Sequence, residues 1–109
     1  MGTMSPKQKE LWIGGAHVKQ PERNGVLGDA DEAVANVIAL AVNKSDFRRQ
    51  INKEVESLGL ILVRLKEAEP LKLHLLKYSI HEDLSKLAEE VKHTGRLAFD
   101  VFYAFDLGT

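Results

Sequence analysis

The sequence predicts an α+β fold in which a four-stranded mixed sheet carries helices packed on one face. Apolar runs with a period of two indicate strands, and amphipathic stretches with a helical period indicate helices. Glycines at Gly59 and Gly95 follow two of the amphipathic stretches, where they are expected to end a helix. The predicted element order is strand, strand, helix, strand, helix, helix, strand.

The first strand is predicted from Leu11 to Val18, where the side chains alternate in character. Its middle holds Gly14 and Gly15, which indicate a bulge or a close approach of another chain segment. The stretch from Gln20 to Asp31 contains proline, asparagine and glycines and is predicted to be a loop. This is the longest predicted loop, and loops are where function often varies.

The run from Ala33 to Val42 suits either a helix, because of its alanines, or a strand covered on both faces. We favour the strand, because Asn43 or Ser45 can cap a new helix directly after it. Apolar residues then recur at helical spacing before Gly59. This apolar seam consists of Phe47, Ile51, Val55 and Leu58.

The short run from Leu60 to Leu65 is typical of a buried strand entered from a helix. With the strand at 33–42 it is predicted to form a βαβ unit, whose crossover should be right-handed if the two strands run parallel in one sheet. Residues 70–78 fit a short helix, although their leucines also alternate as in a strand. We favour the helix.

A capping box at Ser79-Ile80-His81-Glu82 predicts the start of the last helix, which ends before Gly95. The final strand is predicted over Arg96 to Phe105 and is rich in aromatic residues. Strict alternation divides its side chains between two faces. One face holds Leu97, Phe99, Val101, Tyr103 and Phe105, and the other holds Ala98, Asp100, Phe102 and Ala104.

Length and composition predict one domain over residues 4–107, with 1–3 and 108–109 as additions from cloning. The chain has 109 residues, of which 44% are apolar, and a formal net charge of −1. That charge disfavours nucleic acid as a partner, and no apolar run is long enough to cross a membrane. There is no cysteine, which fits a cytoplasmic protein, and no motif for a cofactor or metal.

The candidate pocket residues are His17, Asn36 and Asp100, which are polar residues within otherwise apolar strands. Buried polar groups need partners, so these three are expected to form a structural hydrogen-bond network or to hold a small ligand, unless they are exposed at the edges of their strands. In the second case His17 and Asp100 can also act as an acid/base pair.

Two other clusters are predicted to be solvated faces of helices. Glu89 and His93 lie on the side of the last helix opposite its apolar seam, which argues against a metal site. Arg48, Arg49 and Lys53 lie on the first helix, and Arg49 and Lys53 are opposite its apolar seam, as expected of a solvent face.

Three segments resemble small bacterial α+β proteins of uncharacterised function, some of which are similar to immunity proteins encoded beside secreted toxins. The segments are AVANVIALAV followed by SDF, ESLGLILVRL, and SIHEDLSKLAEEVKHTGRLAFDVFYAFD. This resemblance implies an acidic surface that faces a basic toxin. The candidate residues for that surface are Glu82, Asp83, Glu89 and Glu90.

These observations favour a small cytoplasmic bacterial binding protein that acts through a surface or a pocket. The second sheet face, with Phe102 among small residues, is too apolar for water and is expected to be buried in a homodimer, or else to be covered by the long loop after the first strand. A protein partner or a small-molecule ligand would complete the function. The alternative is a small isomerase or hydrolase that uses His17 and Asp100 in a pocket between strands.

Overall fold

A computed structural model describes residues 8–21 and 25–105. The predicted α+β class and element order are confirmed, except that the last strand is divided into two short ones. The predicted cloning additions, 1–3 and 108–109, lie outside the described residues. The elements are β1 (Glu10–Lys19), β2 (Glu32–Ala41), α1 (Lys44–Ser57), β3 (Ile61–Pro70), α2 (Leu71–Lys77), α3 (Glu82–Thr94), β4 (Ala98–Phe99) and β5 (Tyr103–Phe105).

The five strands in this part of the chain form one antiparallel sheet in the order β3-β1-β2-β4, with β5 also beside β2. The predicted four-stranded mixed sheet is therefore wrong in strand number and direction. β1 lies between β2 and β3 and is antiparallel to both. The far edge of β2 is occupied by β4 and β5, so β3 pairs with β1 instead of forming a βαβ unit beside β2.

Helices cover both faces of the sheet, not one face as predicted. Cross-strand partners point to the same side, so the register separates two sets of residues. One set, which includes Ala16, Val18 and Val37, packs against Phe47 and Ile51 of α1. We call this side the α1 face. The opposite side is the α3 face, where the core consists of Ile13, Ile38, Leu71, Leu84, Ala88 and Val91.

β2 explains why two layers of helix are needed. Both alternating sets of its side chains are largely apolar, and most of them are buried. The choice of a strand over a helix for 33–42 is confirmed. A strand of this kind leaves apolar surface exposed to water unless both of its faces are covered.

α1 begins and ends at the predicted signals. Asn43 is the N-cap, and its side-chain Oδ1 accepts a hydrogen bond from the Asp46 backbone N–H at 2.8 Å. Gly59 follows the helix with a φ of 75°, in the left-handed region. Gly14 confirms the predicted close approach, because an added Cβ would lie 3.1 Å from both Phe47 Cε2 and Leu65 Cδ1.

The last strand contains a bulge that the sequence pattern did not predict. Val37 faces Phe99 and Val34 faces Tyr103, so three steps along β2 correspond to four along the final strand. The extra residue reverses which side chains point to which face. Phe102 therefore packs on the α1 face beside Phe99, with ring centroids 5.2 Å apart, and the predicted dimer surface around Phe102 is wrong.

α2 and α3 follow β3 and cover part of the α3 face. Residues 71–77 are helical, which confirms the favoured alternative for this segment. α3 begins at a different residue from the one predicted: His81 is the N-cap, and its Nδ1 accepts from the Leu84 N–H at 3.3 Å. Gly95 ends α3 with a φ of 73°, as predicted.

Candidate functional site

The α3 face is covered by helices at only one end. α2 and α3 pack on the end that holds Ile13 and Ile38, whereas Val34 and Tyr103 at the other end are exposed. We call this uncovered end the open half. It contains a groove of about 380 Å³, which is lined by Gly15, His17, Val34, Ala35, Asn36, Lys66, Glu67 and Tyr103.

The hairpin of β1 and β2 places the central residues of this groove. Gly15 is opposite Asn36, and His17 is opposite Val34. Because Gly15 has no side chain, the floor of the groove is low between its polar residues. The bulge in the last strand brings Tyr103 to the same face, opposite Val34.

His17 forms an imidazole–carboxylate pair with Glu32 through its Nε2 atom. Only 21% of the His17 side chain and 11% of the Glu32 side chain are exposed, so the pair is shielded from bulk water. The ring of Phe105 lies 5.6 Å from the imidazole ring, centroid to centroid. A carboxylate at this position holds the imidazole in one orientation.

The structure divides the trio of predicted pocket residues. His17 and Asn36 both line the groove. Asp100 donates its backbone N–H to the Asn36 carbonyl oxygen at 2.8 Å, but its carboxylate lies 3.5 Å from Nε2 of His81. Asp100 therefore belongs to a second histidine–carboxylate pair, at the start of α3, and the partner of His17 is Glu32.

Sequence reasoning did not find Glu32 as a site residue. The signal was present in the hairpin, because Lys19 is opposite Glu32 and both lie on the face of His17. Using that signal requires the strand register, which the long loop from 20 to 31 does not specify. The register is visible only in the folded sheet.

Basic side chains outnumber unpaired acidic ones on the open half. Arg64 is opposite His17, and Lys66 is opposite Gly15, so β3 adds two cations to this face. Both residues are exposed, as is Lys19. Of the described acids, Glu67 lines the groove and Glu32 is engaged by His17, whereas Glu69 lies at the covered end, where it is bonded to His74 and Lys77. The open half is therefore suited to an anionic ligand.

The other predicted clusters are confirmed as solvated. Glu89 and His93 are exposed, and their side chains approach only to 4.0 Å. Arg48, Arg49 and Lys53 are exposed on α1. Within residues 8–21 and 25–105, no group of three or more acidic, histidine or cysteine side chains could hold a metal ion. No helix in those ranges combines the length and apolar character needed to cross a membrane.

Comparison with protein-family models, curated proteins and solved structures finds no match to this chain. The similarity to immunity proteins stays a prediction, as does the acidic toxin-facing surface. Glu82, Asp83, Glu89 and Glu90 are all exposed on α3. Two of them lie near basic side chains of the same helix, since Glu82 is 3.4 Å from Lys86 and Glu89 is 4.0 Å from His93.

Proposed function

We propose that this protein binds a small anionic molecule with an apolar or aromatic part, and that the open half is its binding site. The observation that carries the proposal is the composition of the groove. Apolar side chains, two hydrogen-bonding groups, a lysine and a glutamate line one concave surface, and Lys19 and Arg64 add two exposed cations to the same face. Ligand sites commonly combine an apolar lining with a few polar groups that orient the ligand.

Each part of the groove suits a different part of such a ligand. Val34 and Tyr103 are exposed and offer apolar contact for a ring or a short hydrocarbon. Lys66 provides an ammonium group for a carboxylate, sulfonate or phosphate. Asn36 and His17 offer hydrogen bonds that define the orientation of the ligand between these two ends.

The size of the groove fits a metabolite or another small compound. Its volume of about 380 Å³ lies within the usual range for small-molecule sites, roughly 300 to 1,000 Å³. The basic excess opposes a second copy of this chain on the same surface, because two such surfaces would repel each other. A small anion neutralises that charge.

Phenyl phosphate is a direct probe, because it joins an aromatic ring to an anionic group. We expect it to shift the backbone amide NMR signals of Gly15, His17 and Asn36 in a titration, whereas benzyl alcohol shifts them much less. The Lys66→Gln variant is expected to bind phenyl phosphate roughly tenfold more weakly, since one charge-assisted hydrogen bond is lost.

Lys53→Gln is the matched control, because Lys53 is also an exposed lysine but lies on α1. It is expected to bind phenyl phosphate like the wild-type protein. Equal weakening by both substitutions, or no shift at the three amides, would contradict a binding site on the open half.

A second candidate function, acid/base catalysis, is favoured by the His17–Glu32 pair. A carboxylate that orients an imidazole beside a groove is a common arrangement for proton transfer. On this alternative the protein is a small isomerase or hydrolase, with Glu32 in the role that the sequence assigned to Asp100. We would then expect p-nitrophenyl acetate to be hydrolysed faster than by an equal concentration of imidazole, and the His17→Asn variant to lose the excess rate. An excess rate that survives in that variant would rule out His17.

A further inference from the structure

α2 has one buried leucine and three leucines that are exposed to solvent. Leu71 is buried against the α3-face core. Leu73, Leu75 and Leu76 point in other directions and are exposed, and Leu76 is 81% exposed. Adjacent large apolar side chains that are exposed and rimmed by polar residues mark interaction surfaces. The exposed leucines therefore indicate that α2 is covered by a partner in solution.

A groove runs beside α2 and is large enough to accept a side chain from that partner. Its volume is about 390 Å³, and its apolar lining consists of Leu11, Leu40, Leu71 and Leu75. Charged residues of both signs surround this lining. They are Lys9, Glu10, Lys72, Glu89 and Lys92.

We propose that the partner is a second copy of this chain, which packs α2 against α2 about a two-fold axis. In such a contact the same surface serves on both subunits and must complement itself. A rim with both lysines and glutamates meets that condition, since the lysines of one copy can face the glutamates of the other. Leu76, the most exposed of these leucines, enters the leucine-lined groove of the partner.

Other surfaces of the described chain are less suited to a second copy. The open half exposes three cations, Lys19, Arg64 and Lys66, and only Glu67 lines its groove as an acid, whereas the groove beside α2 has two glutamates for three lysines. β3 is an edge strand, but its pairing with β1 is interrupted at two positions, and Glu67 has a left-handed φ of 53°. Bulges of this kind bend an edge and oppose edge-to-edge pairing of strands.

Light scattering after size exclusion, over a range of micromolar concentrations, tests the proposal on the full chain. We expect the wild-type protein to be a dimer. The Leu76→Glu variant should be a monomer, with a dimer Kd raised roughly 30-fold or more, because a charge replaces an apolar residue at the centre of the contact. Far-ultraviolet circular dichroism should be unchanged, since Leu76 makes little contact within its own chain.

Val101→Glu is the matched control, because Val101 is 62% exposed but lies outside the α2 surface. It should remain a dimer. A wild-type monomer at every concentration would overturn the proposal, and so would a Leu76→Glu variant that stays dimeric. Binding of phenyl phosphate to Leu76→Glu should match the wild-type protein, so the outcome is independent of the proposed ligand site.

Discussion

The two faces of the sheet use the same strands but differ in how completely they are covered. On the α1 face, Phe47, Ile51 and Val55 are fully buried against small residues of β1 and β2. On the α3 face, helices cover one end and leave the other end as a groove with His17 at its centre. Alternate residues of one strand thus pack in the core on one face and line the proposed binding groove on the other. The following predictions compare the closed α1 face with the open half.

The largest expected difference is between aromatic residues on the two faces. Phe47→Ala should lower the free energy of unfolding by about 3 to 5 kcal/mol, because it leaves a cavity in a closed core. Tyr103→Ala, at a side chain that is 60% exposed, should change it by less than about 1 kcal/mol. Urea unfolding monitored by circular dichroism measures both values, and similar losses for the two variants would contradict the distinction between the faces.

The adjacent glycines of β1 provide a finer comparison, because they point to opposite faces. Gly14→Ala should destabilise the protein by about 1 to 3 kcal/mol, since the new Cβ meets Phe47 and Leu65 in a packed core. Gly15→Ala meets only atoms of Lys66 at 3.9 Å or more and should be neutral or slightly stabilising. The same urea experiment measures the difference. If Gly15→Ala cost more than Gly14→Ala, the open half would have to be more tightly packed than described.

The N-terminus of α1, the helix that packs on the α1 face, provides the next comparison. Asn43→Ala should lower the free energy of unfolding by about 1 kcal/mol, because the Asp46 N–H loses the oxygen that accepts its hydrogen bond. Ser45→Ala, at an exposed residue in the first turn, should change it by only about 0.5 kcal/mol or less. Thermal unfolding followed by circular dichroism distinguishes the two variants. A larger loss of stability in Ser45→Ala than in Asn43→Ala would show that Ser45, not Asn43, is the N-cap.

Asp46 makes the stability of the same junction depend on pH. The Val42 backbone N–H donates to its carboxylate at 3.0 Å and, with Gln50 and Arg49, holds the pKa of Asp46 below its usual value near 3.8. The unfolded chain therefore binds a proton at Asp46 more readily than the folded protein does. Its contribution to stability is present in full above pH 4 or so and is lost as the pH falls through the lowered folded pKa.

Asp46→Asn should therefore be less sensitive to acid than the wild-type protein when the unfolding midpoint is followed from pH 5 to pH 2. Asp29→Asn, in the exposed loop, controls for the loss of one negative charge. If the unfolding midpoint fell equally steeply with decreasing pH in the wild-type protein and in Asp46→Asn, this carboxylate would not contribute to the pH dependence of stability.

Features encoded by neighbouring residues were predictable. The cap at Asn43, the helix ends at Gly59 and Gly95, and the strand at 33–42 all follow from a few adjacent side chains. The close approach at Gly14 was also predicted, although its partner Phe47 was not. Each of these signals involves residues that are close together in the sequence, so it can be recognised without knowledge of the fold.

Features that depend on pairing between distant segments were not predictable in the same way. One extra residue in the last strand moves Phe102 to the closed face and Tyr103 to the open half. Only one of the two predicted polar partners of His17, Asn36, lies with it in the groove, and Glu32 replaces Asp100 as its carboxylate. A shift of one residue in strand register moves every later side chain to the other face of the sheet. No local pattern in a single sequence shows whether such a shift occurs.

The sequence alone therefore determined the class of fold, the order of the elements and most of their ends, because those follow from local periodicity and capping. The tertiary structure decided that β1 lies between β2 and β3, that helices cover both faces, and that one half of the α3 face stays open. It also decided which carboxylate meets His17. These outcomes depend on which edges and faces remain free once all elements have packed together, and that competition involves the whole chain at once.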